Sequence, residues 1–204
     1  MTPEEKTAYL RKILRWEISE WSFPASQWEA DLVKELSEMP VYAVFRMEEE
    51  QMQELGMKPN HCHENCLRLE AEDPTQQIKR ITGWWPSEGK FLSHSVVQAN
   101  NELVCVTPIV YAPYTPIPFV PDTAIEVRYH PGDNCDYLYR NGRMIGTGVR
   151  HDPERTIKEC DWVREQLDAG RDPVDIVTSA MFSEALVDPF RDMSRVVPEV
   201  IGNG

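Results

Sequence analysis

The sequence predicts an α+β fold, a central antiparallel sheet with an N-terminal helical segment and C-terminal helices packed on it. Three observations carry this. Apolar residues recur at helical spacing before residue 40 and again after residue 152. Between them, residues 79–146 turn to strand-like alternation broken by turn signals. Helices grouped at the two ends, rather than alternating with strands, argue against a doubly wound parallel sheet. The 204 residues suffice for one domain with its own core. The reading is a single domain over residues 1–187 and an irregular tail over 188–204.

Thr2-Pro3-Glu4-Glu5 predicts a helix start: Thr2 caps, Pro3 takes the first helical position and Glu5 completes a capping box. Leu10, Ile13, Leu14, Ile18 and Trp21 then form one face. Ser26-Gln27-Trp28-Glu29 opens a second helix, with Leu32, Val33, Leu36 and Met39 apolar, and Pro40 stops it. Residues 41–47 read as a short strand and 48–55 as a helix ended by Gly56, with Glu48-Glu49-Glu50 a solvated start. Residues 60–69 read as a helix.

Strands follow at 79–85, 91–98 and 102–107, with turns at 86–90 and Asn100-Asn101. Trp84 and Trp85 point to opposite faces of their strand. Residues 125–129 and 137–140 continue the β pattern, and Asn141-Gly142 predicts a tight hairpin into 143–146. Residues 108–121 carry five prolines among Tyr111, Tyr114 and Phe119 and read as an extended loop with few donors for a ladder. His130 falls in a turn. Asp152-Pro153 and Asp172-Pro173 each open a C-terminal helix; the second feeds Val177, Ala180, Met181 and Leu186.

Charge narrows the function classes. There are 21 Lys and Arg against 34 Asp and Glu, a net −13. Such a surface repels phosphate backbones and anionic membranes, so neither nucleic acid nor membrane is expected as a partner. No stretch has transmembrane length and the first residues lack a signal-peptide pattern, so the expected location is cytoplasmic. In a reducing compartment the five cysteines are thiols or ligands rather than a disulfide framework.

Reactive side chains concentrate at His61-Cys62-His63-Glu64-Asn65-Cys66. Four readings compete. In the first, Asn60 caps the helix and Cys62 lies in its first turn, where the macrodipole favours thiolate. His94, in the run Ser93-His94-Ser95-Val96-Val97, is the matching base. In the second, His61, His63 and Cys66, with Cys62, His94 and Cys105 nearby in type, bind zinc, although no Cys-x-x-Cys pair is present. In the third, Cys62, Cys66 and Leu69 are a buried stripe and His94 a core histidine. In the fourth, Trp84-Trp85-Pro86 and the Tyr/Pro segment bind a partner.

Cys62-His63-Glu64-Asn65, Gly83-Trp84-Trp85, His94-Ser95-Val96-Val97 and Thr107-Pro108 together resemble a pattern found in bacterial and phage proteins. That pattern is similar to the Cys-x-x-Asn, Gly-Trp, His-Ser, Asp-x-Thr order of papain-like and transglutaminase-like cysteine enzymes, and covers residues 60–108. The resemblance implies a papain-like or transglutaminase-like core, with Cys62 as nucleophile, His94 as general base and Asn65, Asn101 and Thr107 in support. It departs at the third catalytic position, where Leu103-Val104-Cys105-Val106-Thr107 has no carboxylate.

The expected function is a cysteine-dependent hydrolase or acyl transferase acting on an amide or ester of a peptide, protein or small acyl substrate, without cofactor or metal. The alternatives are a non-enzymatic binding protein on the same scaffold and a zinc-binding protein.

Overall fold

Thr2 accepts a hydrogen bond from the Glu5 N–H while Glu5 reaches back to the Thr2 N–H, the reciprocal cap its sequence predicts. This and every later observation come from a computed structural model that describes residues 2–87, 89–108, 116–132, 135–179 and 196–197. The described helices are α1 (Pro3–Trp21), α2 (Gln27–Glu38), α3 (Glu49–Glu54), α4 (Cys62–Glu72), α5 (Pro153–Asp168) and α6 (Pro173–Val177). The strands are β1 (Val41–Arg46), β2 (Lys79–Ser87), β3 (Lys90–Ala99), β4 (Glu102–Cys105), β5 (Ile117–Pro121), β6 (Ile125–His130), β7 (Cys135–Arg140), β8 (Arg143–Ile145), β9 (Gly148–Arg150) and β10 (Val196–Val197). The α+β class follows directly.

The chain forms two compact units. The first comprises Met1–Ser37, Ser87–Phe91 and Val149–Arg191. In it, Leu14, Ile18 and Trp21 of α1 are buried, as are Cys160, Val163 and Leu167 of α5. Asp152 and Asp172 cap α5 and α6 with their carboxylates, as their Asp-Pro starts predict. Glu29 and Arg150 form a fully buried bidentate pair, with Nε to Oε1 at 2.9 Å and Nη2 to Oε2 at 2.7 Å. Nη1 donates to the carbonyls of Trp21 and Phe23, so each of the three guanidinium nitrogens is hydrogen-bonded.

The second unit comprises Glu38–Pro86, Leu92–Gly148 and Asp192–Gly204. Its main sheet runs β10-β1-β4-β3-β2-β5, with a further β1–β5 pairing that closes the five strands β1, β4, β3, β2 and β5 into a barrel. The predicted antiparallel sheet is in fact mixed. β1 pairs antiparallel with β5 but parallel with both β4 and β10; the long crossover through α3, α4, β2 and β3 permits the parallel pairing with β4. All five barrel strands contribute to the interior: Val44, Ile81, Trp85, Val96, Leu103, Cys105, Ile117 and Phe119. On the opposite face of the same strands, Val97, Val104 and Val106 pack against Cys66 and Leu69 of α4. β6, β7 and β8 form a separate antiparallel sheet joined by the predicted turn, where Asn141 and Gly142 both have positive φ.

Two further expectations change. Residues 117–121, read as loop, are strand β5; burial of Ile117, Phe119 and Val120 outweighs the two missing proline donors. Val196–Val197 pairs with β1 inside the segment read as an irregular tail. Tyr111, Tyr114, Ala180, Met181, Leu186 and most of the tail lie outside the described residues. Among the described residues, no helix is long and apolar enough to cross a membrane.

Candidate functional site

The Cys/His cluster opens α4, one residue later than predicted. Asn60 is not the cap: it takes a left-handed conformation (φ 62°), which Asn tolerates, and donates its N–H to the Pro108 carbonyl at 3.4 Å. His61 becomes the N-cap and Cys62 the first helical residue. Asn65, one turn on, is buried and fixes the incoming chain. Its Oδ1 accepts the Lys58 N–H at 3.0 Å, and its Nδ2 donates to the Lys58 carbonyl at 2.8 Å and to Thr107 Oγ1 at 3.3 Å. Asn65 and Thr107 thus tie the start of α4 to the chain beyond β4.

The Cys62 thiol lies against the backbone N–H groups of Ser95 and His63, which favour thiolate. Burial outweighs them and raises its pKa from 9.0 to about 11. The sequence reading of a helix start that favours thiolate therefore holds for the donors but not for the net balance. Burial also raises the thiols of Cys66 and Cys105.

Alternation along β3 sends His94 to the barrel interior and Ser95 to the α4 side. His94 lies beside Trp85 and Phe119, with ring centroids 5.8 and 6.3 Å apart. Its Nε2 meets Cys105 Sγ at 3.4 Å. Burial first, then the charges of His63 and Arg46, lower its pKa to about 3. Ser95 Oγ meets His63 Nδ1 at 2.7 Å and Thr82 Oγ1 at 3.4 Å. Burial and Arg80 lower His63 to about 4.

The structure therefore brings Cys62 to the peptide that follows His94, and gives the Nε2 side of the His94 ring to Cys105. In the sequence Cys105 stands beside His94 only among the candidate zinc ligands. The signal was present: Leu103 and Cys105 alternate with Val104 and Val106, so Cys105 shares the interior face with the histidine. Asn101 instead forms the β3–β4 turn with Asn100, both at positive φ, beyond the Ala99–Glu102 pair.

Neighbouring tryptophans divide as predicted. Trp84 is fully buried and donates Nε1 to Asp122 at 2.8 Å; Trp85 is half-buried beside His94. Gly83 permits this. A Cβ there would lie 2.2 Å from the Val120 carbonyl oxygen, so only glycine allows β2 and β5 so close. His130 pairs with Tyr139 Oη at 2.9 Å on the separate sheet.

The residues of the zinc alternative point to different partners: His61 to Glu64, His63 to Ser95 and Cys66 into the core. Among the described residues, no group of three or more His, Cys, Asp or Glu side chains is disposed to hold a metal ion. Compared with protein-family models, curated proteins and solved structures, the chain matches none.

Proposed function

We propose that the chain is a cysteine-dependent hydrolase or acyl transferase acting on an ester or amide through Cys62 and His94. The observation that carries this reading is the seat of the Cys62 thiol, at the first residue of α4 and against the peptide N–H of Ser95, adjacent to His94. Burial makes either ion expensive, so the resting pair is neutral thiol and neutral imidazole. Proton transfer then accompanies attack rather than preceding it.

In this scheme Cys62 Sγ bonds to the acyl carbon while its proton passes through one water to His94, whose ring lies on the other face of β3 beside Trp85 and Phe119. Free N–H groups in the first turn of α4 stabilise the oxyanion. The protonated histidine returns that proton to the departing alcohol or amine, leaving a thioester on Cys62. Water or an acceptor nucleophile attacks the thioester, His94 takes its proton and passes it to the sulfur, and the thiol is restored.

A second reading, a non-enzymatic binding protein on the same scaffold, is favoured by the burial that keeps both groups neutral. Turnover of a panel of chromogenic esters, thioesters and anilides separates the two. The enzyme reading expects hydrolysis that Cys62→Ala abolishes and His94→Ala lowers by about 10²–10⁴-fold. Equal rates in wild type and Cys62→Ala overturn it and leave the binding reading.

A further inference from the structure

We propose that Cys105 is a positioning residue for His94, a thiol doing the work usually given to a carboxylate or amide: its sulfur accepts a hydrogen bond from Nε2–H and so leaves Nδ1 as the bare, basic nitrogen. This rests on the reading of His94 as a base.

A neutral imidazole carries one proton, and its partner on one side decides which nitrogen is free on the other. The partner at Nε2 is Cys105 Sγ, at 3.4 Å. A thiol can donate or accept there. Its own proton has a second destination, the Thr107 carbonyl oxygen at 3.9 Å. With S–H directed to Thr107, a sulfur lone pair faces the ring and the proton between them belongs to Nε2. The arrangement is held on every side. Cys105 is fully buried among Val44, Val96, Ile117 and Phe119. Trp85 and Phe119 flank the ring. Asn65 anchors Thr107 through its hydroxyl. No charged carboxylate is needed, which suits a barrel interior where an anion would be costly.

Nitrogen-detected NMR of the full chain, with labelled histidine, tests this without any substrate. The expected result is a pyrrole-type Nε2 and a pyridine-type Nδ1 for His94 in wild type. The reverse assignment overturns the proposal, and needs no variant that has to fold. Cys105→Ser keeps a group that can both donate to Thr107 and accept from Nε2–H, so the tautomer should persist. Cys105→Ala removes the acceptor and should give mixed tautomers. It should also slow acylation of Cys62 by at least about tenfold. An unchanged tautomer in Cys105→Ala likewise overturns the proposal. A Cys62→Ala variant as active as wild type instead overturns the enzyme reading, and the NMR result still decides the role of Cys105.

Discussion

Burial sets the protonation of Cys62, His63 and His94, and this has two consequences at the scale of single residues. Cys62 is 9% exposed whereas Cys66 and Cys105 are fully enclosed. Iodoacetamide should therefore label Cys62 before those two in the native protein. Because its pKa is raised to about 11, the rate should climb with pH towards that value. A labelling rate that levels off below pH 8 would show a thiolate the environment does not support. The histidines act at the other end of the scale. Their folded pKa values, about 4 for His63 and about 3 for His94, lie below the ordinary 6.5. Their contribution to stability is complete above pH 6.5 and is lost as pH falls through 4 and then 3. Urea midpoints measured from pH 7 to pH 3 should fall more steeply in wild type than in His63→Gln. A wild-type-to-variant difference that stays constant with pH would contradict this.

At the scale of elements, β2 passes close against β5 at Gly83. A Cβ at Gly83 would meet Val120 O at 2.2 Å, Phe119 Cζ at 2.8 Å and Pro121 Cα at 2.9 Å. Two of these are backbone atoms that cannot swing aside, so Gly83→Ala should destabilise the fold by about 1–3 kcal/mol. A urea midpoint unchanged from wild type would mean that the strands separate freely. Elements whose signals are local were legible in the sequence. Thr2-Pro3-Glu4-Glu5, Asp152-Pro153 and Asp172-Pro173 start helices where expected, and Asn141-Gly142 makes its turn. Features that depend on distant partners were not. The parallel pairing of β1 with β4, and the closure of β1 on β5, join segments whose sequences say only that they are strands. Asn60 looked like a cap because its side chain suits one, but its backbone is committed to Pro108. Within the site, the helix start at Cys62 and the strand of His94 were readable. The contact between His94 and Cys105 emerges only once β3 and β4 pair.

Across the molecule, each unit holds a buried ion pair among the described residues, Glu29–Arg150 in the first and Asp122–Arg140 in the second. Removing one partner leaves an uncompensated buried charge, so Glu29→Ala should cost about 3–5 kcal/mol. Glu29→Ala with Arg150→Met should recover part of that loss, because the stranded guanidinium goes too. Equal destabilisation by the single and double variants, read from denaturant unfolding, would show that the pair acts through packing alone. The net charge of −13 adds a bias against polyanionic substrates and leaves neutral or cationic acyl donors as the ones to try first.

The proposed reaction has Cys62 take up an acyl group with His94 as its base. The most direct measurement is intact-mass analysis of protein quenched in acid after brief exposure to an activated ester, followed by peptide mapping. One acyl adduct is expected, mapped to Cys62, absent from Cys62→Ala and formed slowly in His94→Ala. An adduct on another residue, or equal acylation in His94→Ala, would contradict it.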